Sequence, residues 1–296
     1  MKNIPVICVE GRTLAESYEK ALYALYTKGC EFKTQYDKPG DPLSRDCTMN
    51  ITTLEPLTDP IIHKAFPGGI ADLREYVLEL EGIKDSWVKV ENDPKDTRWE
   101  YTYHGRLAHW GQYKHRDNGI VSLLGENIDQ VQLAIDKLCK QPFTRQAQMI
   151  TWDPRRDTNC YDPACLQSIW LRILEEGGVM WLNTNIRFRS NDGFSANFMN
   201  QFGFIMFVKS IGDIISQKIG KVVKLGRLNW HADSFHVYGK DINNLEKMLI
   251  RKIESGQPFE KRVLNFYDTE IQEMYHECES SILEKIAEQN RKNISS

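Results

Sequence analysis

The sequence predicts an α+β fold in which helices flank a central sheet. Three observations carry this. Up to about residue 140, apolar residues recur three and four apart, the period of helices packed on a core. Between 146 and 238 the pattern changes to short alternating runs, the period of strands. The chain then closes with charged amphipathic segments near Asp241–Glu254 and Asp268–Gln289.

Thr13-Leu14-Ala15-Glu16 has the form of a capping box. Leu14, Tyr18, Leu22 and Leu25 follow at helical spacing, and Gly29 is the stop. Residues 30–60, rich in Pro, Asp and Gly, read as loop with a short strand from Met49 to Thr53. Ile70, Leu73, Val77 and Leu80 mark a second helix, closed by Gly82. Ile128, Val131, Ile135 and Leu138 mark a third, with Pro142 beyond its end. Gln146–Trp152, Ile169–Leu174 and Val179–Phe188 read as strands, the last two joined by Glu175-Glu176-Gly177-Gly178. A long apolar helix runs from Phe198 to Ile219, followed by strands at Val222–Leu228 and Ser234–Tyr238. No internal repeat occurs.

Composition narrows the function. The chain has 296 residues, 41% hydrophobic and 27% charged, an ordinary globular balance. A net charge of −3 gives no basic field for nucleic acid, so a small anionic ligand needs a local group of arginines. The seven cysteines are odd in number, irregularly spaced and without a CxxC pair, which predicts a reducing, cytoplasmic setting. Met1-Lys2-Asn3-Ile4-Pro5 lacks a signal-peptide core, and no apolar run is long enough to span a membrane. His231 and Asp233 are close in sequence, but no metal-ligand spacing emerges.

Chemistry concentrates in Tyr161-Asp162-Pro163-Ala164-Cys165-Leu166-Gln167, followed by Arg189-Ser190-Asn191-Asp192, Asn200 and His236-Val237-Tyr238. Cys165 is the candidate nucleophile. A free thiol has a pKa near ~8.5, so it needs a cation such as Arg189 to become thiolate at neutral pH. Arg189 and Ser190 suit a phosphate, which accepts paired bonds from a guanidinium. The Asn200 amide offers one acceptor and two donors. It can meet N3–H and O4 of uracil and, flipped, can serve cytosine. His236 and Tyr238 point the same way along a strand.

This ordered set resembles the thymidylate synthase family, which includes the pyrimidine nucleotide hydroxymethylases. The resemblance runs from about Glu75 to Tyr238 and is most specific from Trp152 onward. It implies a thymidylate synthase-like mixed sheet, one face of which is used for dimerisation. Residues 1–260 then form the catalytic domain and 261–296 a C-terminal helical extension. It implies that Cys165 attacks C6 of a pyrimidine nucleotide monophosphate, with 5,10-methylenetetrahydrofolate as the one-carbon donor. Arg189, Ser190 and Asp192 line the phosphate and base side. Asn200 reads the base, and His236 and Tyr238 hold the sugar hydroxyl. Glu75, seven residues before Gly82, orders water and moves protons, and Tyr103 assists proton removal. Arg145 reaches the partner's phosphate across a homodimer, and Arg45 is the phosphate arginine of the N-terminal loop.

The sequence also departs from the family. Gln146 stands where a second arginine is usual. Ala164-Cys165-Leu166 replaces Pro-Cys-His, and Trp170 replaces a glutamine. His104 intervenes after Tyr103, and Ser195-Ala196-Asn197 replaces a glycine turn. The folate-closing tail is not recognisable in Asn293-Ile294-Ser295-Ser296. Asn200 favours uracil, so conversion of dUMP to dTMP leads. Hydroxymethylation of dUMP, dCMP or CMP, and a non-catalytic nucleotide binder, are the alternatives.

Overall fold

A computed structural model describes residues 3–89, 98–111, 113–117, 120–124 and 127–295. It opens with β1 (Val6–Gly11), α1 (Leu14–Lys28), β2 (Cys30–Phe32) and β3 (Ser44–Thr53). Next come β4 (Ile62–His63), α2 (Ile70–Leu80), α3 (Tyr103–Ala108), β5 (Tyr113–Asp117), β6 (Ile120–Leu124) and α4 (Gln130–Lys140). The middle holds β7 (Ala147–Ile150), α5 (Pro154–Asp157), β8 (Leu166–Glu176), β9 (Val179–Asp192), α6 (Asn197–Ile219) and β10 (Val223–Val237). α7 (Gly239–Leu245) passes through a wider π turn into α8 (Arg251–Glu254), and β11 (Val263–Leu264) and α9 (Thr269–Ser295) finish the chain.

Seven strands form one sheet in the order β1-β3-β10-β9-β8-β7, with β2 also paired to β3. β1–β3 and β10–β9 are parallel and the other pairs antiparallel, so the sheet is mixed. The α+β architecture read from the sequence is the one observed. Gly177 and Gly178 join β8 to β9 with φ of 59° and 77°. Two positive values in a two-residue loop match the twist of a tight hairpin, and glycine takes them without a Cβ clash.

The strand readings need correction. β1 and β2 were not expected, and β3 begins five residues before the expected Met49. Its buried positions Ser44, Cys47, Met49, Ile51 and Thr53 keep a strand pattern, but Arg45-Asp46 disguise its first half. β10 is one strand, not two. Its pairing with β3 slips between Ala232 and Phe235, and the extra residue breaks the alternation that a sequence reading relies on.

α6 packs on the sheet, and its first half is buried nearly all round. Phe198, Phe202, Val208, Ile211 and Ile215 are buried on it, as expected of a helix covered on more than one side. α2 crosses it closely: a Cβ on Gly203 would stand 2.4 Å from Cδ1 of Tyr76. Glycine at 203 therefore makes room for that ring. α9 runs along α2, burying Tyr275, Ile282 and Ile286, while Arg74 binds Glu279 at 2.8 Å. The reading made of Asn293-Ile294-Ser295-Ser296 falls on side chains outside the described residues.

Candidate active site

The β8–β9 ladder places the thiol. Leu166 pairs with Phe188, and one step further the Arg189 N–H donates to the Cys165 carbonyl at 2.9 Å. The Arg189 guanidinium then turns back over this strand end. It donates to the carbonyls of Ala164 (3.0 Å) and Pro163, and its Nη2 lies 3.6 Å from Cys165 Sγ. From the other side, the Cys165 N–H donates to the Tyr101 hydroxyl at 3.3 Å. Arg106 anchors that segment: it is buried, sits 5.6 Å from the Tyr101 ring and makes paired bonds of 3.0 and 2.6 Å to Asp157.

Burial raises the Cys165 thiol above its usual value. Arg189 pulls it down without overcoming burial, and Asp162 pushes it up further. The Arg189 charge therefore favours the thiolate and burial favours the neutral thiol. Tyr76, Tyr101, Tyr103 and Tyr238 all lie within electrostatic reach of Cys165. Burial raises all four phenols, so they are neutral and able to donate. Tyr103 is packed against Phe188 and Phe204 and gives its hydrogen to Tyr101, so Tyr101 is the phenol that touches the Cys165 backbone.

Asn200 is tied to this group through Tyr76. Asp192 caps the turn before it, accepting from the N–H groups of Phe194 (3.0 Å) and Ser195 (2.8 Å). Asn200 is buried, its Oδ1 accepting from Asn191 at 3.0 Å and its Nδ2 donating to the Tyr76 hydroxyl at 2.7 Å. Asn191 accepts in turn from Asn197 (2.6 Å) and from the Trp230 indole (3.2 Å), and Gln201 donates to Asn197 at 2.7 Å. None of these partners was given a role from the sequence. Tyr76 looks like one more apolar position on a helix, and Asn191 like a turn residue beside Asp192.

His236 is buried on β10, 3.4 Å from Ser234 Oγ and edge-on to Tyr238 at 4.8 Å between ring centres. Ser190 is paired with Ser234 across β9–β10. Arg145 is exposed at the start of β7, its carbonyl taking the Trp170 indole N–H at 3.0 Å. Arg45 is engaged elsewhere: it binds Glu31 at 2.9 Å and lies 4.9 Å from the Tyr26 ring. Glu75 binds Lys84 at 2.6 Å, and Lys84 also takes Glu79 at 3.2 Å while lying over the rings of Trp87 and Trp99. A cleft of about 440 Å³ opens between Glu75, Trp87, Trp99 and the α9 residues Ile282 and Ile286. Asp85, His104 and His109 form the one cluster of metal-ligating side chains among the described residues; Asp85 is bonded to His104 at 2.6 Å and to Thr102.

Comparison with known proteins fits this geometry. The family model for thymidylate synthase matches residues 74–279. The chain belongs to the thymidylate synthase family. It is 26% identical over 253 residues to a Methanocaldococcus jannaschii protein provisionally named a thymidylate synthase, covering 82% of this chain and 96% of that one. A Methanosarcina acetivorans protein, also provisionally named so, is 28% identical over 241 residues, covering 81% and 94%. The solved thermostable thymidylate synthase A of Bacillus subtilis shares the fold, with a TM-score of 0.57 and 18% identity over 79% of this chain and 83% of that one. No helix among the described residues of this thymidylate synthase family member is long and apolar enough to cross a membrane. At one of its departures, Leu166 is fully buried in the sheet core and brings no polar atom to the site.

Proposed function

We propose that this protein transfers a one-carbon unit to C5 of a pyrimidine nucleotide, dUMP before others, through a covalent bond from Cys165 to C6. The observation that carries the reading is the Cys165 thiol 3.6 Å from Arg189 and ringed by neutral phenols, in a chain of this family. As Sγ bonds to C6, the C5=C6 electron pair moves toward O4 and makes C5 nucleophilic. Asn200 and Tyr76 are placed to donate to the oxygen that gathers charge. Arg189 and Ser190 meet the phosphate, beside Asp192, and His236 and Tyr238 hold the sugar. Burial raises the Cys165 pKa and Arg189 acts against it, so Arg189 is the group that favours the attacking thiolate.

5,10-Methylenetetrahydrofolate supplies the methylene group and, in methylation, the hydride. The cleft fits a flat heterocycle, with two indoles and two isoleucines as walls and the Glu75 carboxylate at its edge. Glu75 moves protons there, directly or through water. C5 bonds to the methylene carbon, then loses its proton and expels the folate nitrogen, which leaves an exocyclic methylene and tetrahydrofolate. Hydride from that tetrahydrofolate adds to the methylene as the C6–Sγ bond breaks, giving dTMP, dihydrofolate and free Cys165. Addition of water gives the 5-hydroxymethyl nucleotide and tetrahydrofolate. That second reading is favoured by Leu166, which removes a polar side chain from the cysteine's neighbour and changes how water is handled.

The test is incubation of the purified protein with methylenetetrahydrofolate and dUMP, dCMP, UMP or CMP, with products weighed by mass spectrometry. A methylated uracil nucleotide with matching dihydrofolate is expected. A hydroxymethylated product selects the second reading, and no product from folded protein points to a non-catalytic relative. We further propose a homodimer formed through the outer sheet face, with Arg145 serving the partner's phosphate. Mixing Arg145→Ala and Cys165→Ser proteins then restores activity, and failure to do so after demonstrated subunit exchange removes that role.

A further inference from the structure

We propose that Trp230 fixes which base edge this site reads, by setting the direction of a chain of side-chain amides that ends at Asn200. The proposal rests on the pyrimidine nucleotide reading above. Four amides are strung together: Gln201 donates to Asn197, Asn197 to Asn191, Asn191 to Asn200, and Asn200 to the Tyr76 hydroxyl. Every donor points the same way.

An amide side chain keeps its shape when its oxygen and nitrogen exchange places. Reversing one link would set two NH₂ groups, or two oxygens, against each other, so its neighbours must reverse with it. The chain therefore has two self-consistent states. Trp230 selects between them. An indole N–H is a donor only, and it contacts Asn191 at 3.2 Å, so the atom facing it must be oxygen. The Asn191 NH₂ then faces Asn200, whose facing atom must accept. The Asn200 NH₂ in turn faces Tyr76, whose hydroxyl accepts and keeps its own proton to donate.

Both states leave one group of Gln201 without a partner, and in this state it is the buried Oε1. That end does not favour either direction. The reversed chain alone would press the indole N–H against an NH₂, leaving a buried donor unpaired. Trp230 is itself fully buried and stacked on Phe188 with ring centres 4.5 Å apart.

The consequence is selectivity. Uracil presents a donor at N3 and an acceptor at O4, and cytosine presents the reverse. A free amide serves both by flipping. A pinned amide serves one. Trp230 and Asn191 are thus positioning residues for base choice, acting through Asn200.

The test compares dUMP and dCMP binding by calorimetry in the full-length protein, in Trp230→Phe and in Asn191→Leu. The first variant removes the pin, and the second cuts the chain while leaving the indole in place. Either folded variant should bring the two dissociation constants about tenfold closer together. The ratio is the readout, because a residue that only supports the structure weakens both nucleotides alike. An unchanged ratio in a folded variant overturns the proposal, and Asn191→Leu decides if Trp230→Phe does not fold. Wild-type protein that binds neither nucleotide brings down the substrate reading itself.

Discussion

The two groups of side chains assigned to the proposed site, a strand wall and a helix wall, are held by different kinds of bond. The strand wall carries Cys165, Arg189, Asn191, His236 and Tyr238 on or beside β8, β9 and β10, with Asn200 one turn into α6. Ladder bonds fix its backbone, such as the Arg189 N–H to the Cys165 carbonyl, and the buried amides fix its side chains. The helix wall carries Glu75, Lys84, Trp87 and Trp99, closed by α9 from the far end of the chain. Its cohesion is side chain on side chain: Lys84 between two glutamates and two indoles, Trp87 bound to Asn290 at 2.7 Å, and Arg74 to Glu279. A backbone ladder resists displacement more than a set of exchangeable ion pairs. In the proposed reaction the strand wall would fix the reacting atoms, and the helix wall would adapt to the second substrate.

Substitution on each wall should break this comparison or sharpen it. Cys165→Ser removes the nucleophile, so turnover should fall by about 10⁴-fold or more while nucleotide binding remains, read by steady-state kinetics and calorimetry. Glu75→Gln should lower turnover by roughly 10²-fold, the scale of one general acid–base group, and leave the nucleotide dissociation constant unchanged. If Glu75→Gln instead weakens nucleotide binding as strongly as turnover, the two walls are not separate in function.

The same division explains what the sequence revealed. Cys165, Arg189, Asn200, His236 and Tyr238 lie along neighbouring elements in an order that resembles the family's, and that resemblance marked them. Glu75 could be picked out only by its distance from Gly82, and its partner Lys84 by nothing local. Tyr101 and Tyr76 reach Cys165 and Asn200 from segments 64 and 124 residues away. A contact of that range leaves no periodic trace. Arg45 shows the converse: Ser-Arg-Asp looks like a ligand loop, yet it lies inside β3, where Glu31 and Tyr26 occupy the guanidinium. Helix ends were legible because caps are local. The Thr13 hydroxyl accepts from the Glu16 N–H, and Gly82 takes a φ of 95° just beyond α2. The missed strand segments failed where charge or a bulge broke the alternation.

The smallest effect should be the most informative about how the strand wall controls its thiol. Burial holds the Cys165 pKa above the ordinary thiol range and Arg189 acts against it. The rate of Cys165 alkylation by iodoacetamide, followed by peptide mass spectrometry, should therefore rise with pH through a midpoint above that range. Arg189→Gln removes the one group that lowers the pKa through its charge, so its midpoint should lie higher still. At pH 8 its rate should therefore be lower than that of the unaltered protein. A midpoint that falls in Arg189→Gln would mean that the guanidinium's grip on the Pro163 and Ala164 carbonyls, by closing the strand end over the thiol, outweighs its charge. Arg189 would then act on Cys165 chiefly as a cover, and the nucleotide phosphate, by drawing the guanidinium away, would itself expose the thiol.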